Sequence, residues 1–62
     1  MNEEWMDYYI FLNVLRDSGV TNMFGAGSYL VEHFDEITSS RQATKIVSSW
    51  MQNFEAIQER LA

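Results

Sequence analysis

The sequence predicts an all-α fold: a small three-helix domain, about residues 3–17, 23–34 and 40–60, that forms a dimer. Three observations lead there. Apolar residues recur at helical spacing over most of the 62 residues. Nowhere do apolar and polar residues alternate over a strand's length between turn residues. Only two short polar breaks interrupt the helical pattern, and there is no internal repeat or low-complexity segment. One domain, residues 1–62, is therefore expected.

The first helix should run from about Glu3 to Asp17. Glu3, Glu4 and Asp7 lie near its start and Arg16 near its end, as the helix dipole favours. Ser18-Gly19 should stop it, with Gly19 suited to a left-handed position just past the last turn. Thr21 or Asn22 then offers a side-chain N-cap to a second helix beginning near Met23.

That second helix carries Gly25, Ala26 and Gly27 in its first turn. Each glycine costs a helix about 1 kcal/mol relative to alanine, so a compensating gain is expected. Small residues here would let another helix approach closely. Ala26, Leu30 and Phe34 form its buried stripe, which Val31 extends.

The third helix shows the most regular pattern. Ser39 and Gln42 have the spacing of a capping box. Ala43, Ile46, Val47, Trp50, Phe54, Ile57 and Leu61 then follow the 3.6-residue period, with Met51 widening the stripe. Arg41 and Lys45 lie near its start and Glu55 and Glu59 near its end. Read as one helix, both ends oppose the dipole, and an antiparallel partner helix would set the cations opposite the carboxylates.

Helix 1 differs from helix 3 in having two apolar faces. Placed at about 100° per residue, Trp5, Tyr8, Tyr9, Leu12 and Leu15 cluster on one side. Met6, Ile10 and Val14 lie nearly opposite, with Phe11 between the stripes. Two further helices cannot cover every face of helix 1. One stripe should meet the rest of the chain, and the other should meet a second molecule, since large apolar patches are rarely left exposed. The plainer alternative is a monomer with partly exposed aromatics. Chain length favours the dimer, because a 60-residue domain is marginal and small domains commonly add disulfides, metal or oligomerisation. With no cysteine in the chain, disulfides are impossible. Met6, Ile10, Phe11 and Val14 are the candidate self-association residues, and Gly25, Ala26 and Gly27 the candidate close-packing residues.

Composition excludes several function classes. Hydrophobic residues make up 47% and aromatics 15% of the chain, too many for intrinsic disorder. The net charge of −5 leaves four scattered cations, Arg16, Arg41, Lys45 and Arg60, which form no basic patch for a phosphate backbone. Direct nucleic-acid binding is therefore not expected. Aromatics at positions 5, 8, 9, 11, 50 and 54 could in principle stack on bases, but without interleaved cations they read as core and interface residues. No apolar run is long enough to cross a membrane, and the acidic start predicts no secretory signal, hence a cytoplasmic protein.

No motif predicts catalysis. His33 lies among Glu32, Asp35 and Glu36, but the order and the lack of a second cluster do not match a di-metal bundle motif. An acidic helix end before a polar turn accounts for it. Gly25-Ala26-Gly27-Ser28 follows no strand and has neither the third glycine of the dinucleotide fingerprint nor the P-loop lysine. No metal, cofactor or catalytic residue is assigned.

The string Leu15-Arg16-Asp17-Ser18-Gly19-Val20-Thr21-Asn22-Met23-Phe24-Gly25-Ala26, followed by Tyr29-Leu30, Phe34, Ala43, Trp50-Met51 and Phe54, resembles a group of small uncharacterised proteins of bacteriophages and prophages. The likeness covers roughly residues 9–54, and its most specific part is Ser18–Ala26. It implies a viral origin and a host-cytoplasmic setting, but no activity and no site residues. The order of helix lengths also resembles ubiquitin-associated domains, as architecture only. The expected function is that of a non-catalytic accessory protein acting through protein–protein contacts, as a homodimer or on a host or viral protein. The alternative is an acidic inhibitor that covers a nucleic-acid site on a host enzyme. For that role Glu3, Glu4, Asp7, Glu32, Asp35 and Glu36 should form one surface.

Overall fold

The computed structural model describes residues 2–19 and 25–62. Among them the chain is all-helical. A 3₁₀ turn, Glu3–Trp5, leads into α1 (Met6–Asp17). Then come α2 (Ala26–His33), α3 (Ser40–Gln52) and α4 (Phe54–Leu61). The expected N-cap at Thr21 or Asn22 and the expected helix start at Met23 lie outside the described residues.

Local chemistry sets most of these boundaries. The Asn2 side chain accepts from the Glu4 N–H at 2.9 Å and so caps the entry to the 3₁₀ turn. After α1, Ser18 N–H donates to Val14 O, and Gly19 adopts φ 91°, a left-handed conformation that glycine takes without a Cβ clash. Ser39 has extended backbone and its Oγ accepts from the Gln42 N–H at 3.2 Å, which starts α3. Helix α2 ends one residue earlier than the periodicity predicts. Phe34 is extended, at φ −112° and ψ 111°, yet its ring still packs against the core.

The helical segment 40–60 is two helices, not one. The elbow is Asn53, which is neither proline nor glycine. Its Nδ2 donates to Ser49 O at 2.9 Å, the same carbonyl that accepts its backbone N–H at 3.0 Å. A side chain competing inside the i→i−4 ladder is a recognised cause of a helix kink. Packing completes the bend. A straight helix over residues 40–61 would be about 33 Å long, longer than the 28 Å maximum extent of the described fold. The elbow lets α4 fold back so that Ile57 becomes fully buried.

The bend also revises the charge reading. Glu55 sits in the first turn of α4 and Arg60 in its last, and both positions suit the dipole of that shorter helix. The opposition predicted at residue 55 of a single long helix therefore disappears.

Among the described residues the core comprises Tyr9, Leu12, Ala26, Leu30, Ile37, Ala43, Ile46, Val47, Trp50 and Ile57. Helices α2 and α3 share the most extensive packing of the described elements. A Cβ built on Gly27 would lie 3.4 Å from the Ala43 Cβ, ordinary contact for a methyl group but too tight for a larger side chain. One built on Gly25 would meet none of the described residues within 4 Å, so Gly25 makes no close packing with the described helices. Ala26, between them, is fully buried.

Candidate functional site

The first question for any site is which stripe of α1 faces inward. Tyr9 and Leu12 are completely buried, and Trp5, Tyr8 and Leu15 pack against the same core. The opposite stripe divides. Met6 is half-buried and touches the core, whereas Ile10 is 45% and Val14 62% exposed. Phe11 is also half-buried. Its ring stacks on His33, with centroids 4.5 Å apart and planes 20° from parallel, and meets Phe34 edge-on. Of the four candidate self-association residues, the structure leaves Ile10 and Val14 on the outside. They are one helical turn apart and share a face.

Polar groups on the inner side hold α1 in that rotation. The Tyr9 hydroxyl lies 2.7 Å from Ser49 Oγ. Asn13 Oδ1 accepts from Trp50 Nε1 at 3.0 Å and from Gln58 Nε2 at 2.8 Å, and Asn13 Nδ2 donates to Gln58 Oε1 at 3.1 Å. Among the described residues, no buried side-chain nitrogen or oxygen lacks a partner. Rotating α1 to bury Ile10 would break all of these bonds. The outward stripe is thus fixed by the polar pairs, not merely left over by the core.

Contacts of α4 and the elbow with α1 and the 3₁₀ turn before it occur in reversed order along the chain. Arg16 lies over the Phe54 ring at 5.2 Å, Asn13 meets Gln58, and Glu3 meets Arg60 at 2.7 Å. Helix α4 therefore runs antiparallel to α1. Beside the elbow, Arg16, Trp50, Met51 and Phe54 line a shallow notch of about 280 Å³, and Met51 is 41% exposed.

The six candidate acidic residues, Glu3, Glu4, Asp7, Glu32, Asp35 and Glu36, are all exposed. Two are engaged. Glu3 pairs with Arg60, and Glu36 accepts a 2.9 Å hydrogen bond from the Tyr8 hydroxyl. Partial burial raises the Tyr8 phenol above its ordinary value of 10.0, and the hydrogen bond and charge of Glu36 and the charge of Asp7 add to the rise. Glu36, in the turn after α2, thus lies against the Tyr8 hydroxyl of α1.

His33 is exposed and its partners are aromatic rings. No group of three or more histidine, cysteine or carboxylate side chains among the described residues has the arrangement of a metal site. No described helix is long and apolar enough to cross a membrane.

Sequence reasoning missed two structural residues. Ile37 is 1% exposed, in a segment read as a polar turn. It is the lone aliphatic residue between Phe34 and Ala43, a signal for a plug under a connection. Asn13 is a polar residue within an otherwise apolar stretch of α1, and the structure shows it to be a three-way hydrogen-bonding partner. A polar residue one turn after the inward-facing Tyr9, between Leu12 and Val14, is itself a signal of a buried partner. No protein-family model, curated protein or solved structure matches this chain.

Proposed function

We propose that this protein is a non-catalytic docking module that self-associates in an antiparallel, two-fold manner through the outer face of α1. The observation that carries the reading is the exposure of Ile10 and Val14 on a helix held in place from its other side. Two aliphatic side chains one turn apart form a seam that a second copy of the same helix can match, as a two-fold interface requires. Met6, at the inner margin, extends the seam when the copy is bound. Association adds burial to a domain whose small size makes it marginal, without being required for the monomer to fold. In this reading, which takes up the sequence likeness to small phage and prophage proteins, the module is a viral accessory protein that acts in the host cytoplasm on a host or viral target.

Sedimentation equilibrium of the wild type and Ile10→Asp tests the reading. The substitution should abolish association, because it places a charge in the seam, while leaving the monomer folded.

A second reading is favoured by one observation, the hydrogen bond that holds Glu36 against Tyr8, the residue next to Asp7 in the chain. In that reading the acidic side of the molecule covers a basic, nucleic-acid-binding site on another protein. Ionic strength separates the two. Two chains of charge −5 repel, so self-association strengthens with salt, whereas docking on a basic site weakens.

A further inference from the structure

The elbow at Asn53 combines features that rarely occur together. The apolar period runs through it without a phase change, from Ala43 to Leu61, as in a single helix. Helix-type hydrogen bonds persist on both sides: Asn53 N–H donates to Ser49 O at 3.0 Å, and Ile57 N–H to Asn53 O at 2.9 Å. Asn53 itself has φ −111° and ψ 22°, a negative-φ conformation that does not require glycine. The bend is held from outside, by the Asn53 side chain on Ser49 O and by the attachments of α4 to α1. Those attachments are Ile57 in the core, Gln58 on Asn13, and Arg60 on Glu3.

A connection of one residue between two helices in the same phase is a short hinge, and short hinges invite exchange of the element beyond them. Straightened, α3 and α4 would form a helix of about 33 Å. That exceeds the 28 Å extent of the described fold, so α4 would leave its own α1. The site it vacates leaves Asn13 without Gln58, Trp50 without Phe54 and Glu3 without Arg60, and another α4 matches it. A second copy of this chain supplies the same Ile57, Gln58 and Arg60, so every inter-element contact is remade and only the hinge changes.

We propose that α4 is an exchangeable arm, and that straightening at Asn53 lets two copies swap it. The swapped species is separate from the pairing through Ile10 and Val14. It needs α4 to detach, so it forms on refolding at high protein concentration, whereas the α1 seam associates reversibly between folded chains.

Cysteine cross-linking tests the exchange directly, because the chain contains no cysteine. Glu3 and Arg60 are each 56% exposed in their side chains and form a surface ion pair, so either can be replaced with little cost to folding. Chains carrying Glu3→Cys alone and chains carrying Arg60→Cys alone are unfolded together in urea. They are refolded at high concentration and treated with a short bismaleimide. An adduct of doubled mass joining the two kinds of chain is the expected result. Asn53→Ala should raise its yield about tenfold, since each of the two elbows gains about threefold in helix propensity. Asn53→Gln, which also favours helix over asparagine, serves if the alanine variant folds poorly. The proposal is overturned if the mixed adduct is absent with all three elbow residues while the double variant Glu3→Cys/Arg60→Cys cross-links within one chain. In an Ile10→Asp background the mixed adduct should persist, so failure of the exchange and failure of the α1 seam are read separately.

Discussion

The side-chain amides of Asn13 and Gln58 exchange two hydrogen bonds, at 2.8 and 3.1 Å, and the Asn13 oxygen also accepts from Trp50 Nε1. One residue of α1 thereby ties α3 and α4 together around the elbow. Asn13→Leu should destabilise the fold by about 1–3 kcal/mol, because it leaves the Trp50 N–H and the Gln58 amide without partners. Gln58→Leu should cost less, since Asn13 keeps Trp50. Urea titration followed by Trp fluorescence checks both, and the double variant should cost less than the sum of the singles.

Tyr8 makes stability depend on alkaline pH. Its folded pKa is raised above 10.0, first by burial and then by Glu36 and Asp7. A raised value means the folded state holds the proton more tightly. The stabilisation is therefore complete below the unfolded value near 10 and is lost as pH rises through the folded value. Urea midpoints measured from pH 9 to pH 12 should fall across that window. Tyr8→Phe should flatten this part of the fall.

Gly27 and Ala43 set the spacing of α2 and α3. Gly27→Ala should be neutral or stabilising by up to about 1 kcal/mol, because it improves helix propensity and meets Ala43 at ordinary contact distance. Gly27→Val should destabilise by about 1–3 kcal/mol, since its extra methyls force the helices apart. Thermal unfolding of the two variants should therefore shift in different directions.

These residues also show what the sequence reveals and what it hides. Gly19 and Ser39 are legible because their roles are local: a left-handed backbone after a helix, and a hydroxyl on the N–H three residues on. The inward stripe of α3 is legible from period alone. The elbow is harder to see, since the apolar phase does not change there and Asn53 is no strong breaker. The charges carry a trace of it, for Glu55 opposes the dipole of one long helix and suits that of α4, although Arg41, Lys45 and Glu59 are not explained by the bend. Which face of α1 turns inward was undecidable from periodicity, because both stripes are apolar. It is decided by Tyr9, Asn13 and their partners on α3 and α4, residues distant in sequence. The same long-range contacts draw Phe11 toward His33 and leave Ile10 and Val14 as the outer seam.

The claim that this seam joins two copies is tested most directly by sedimentation equilibrium of the natively folded protein at micromolar concentration, in low and high salt. The wild type should approach twice its 7.3 kDa chain mass, more completely at high salt, and Ile10→Asp should remain at the single-chain mass with unchanged helical circular dichroism. A wild type that stays at 7.3 kDa across the range, or an Ile10→Asp variant that associates as strongly as the wild type, would contradict the account.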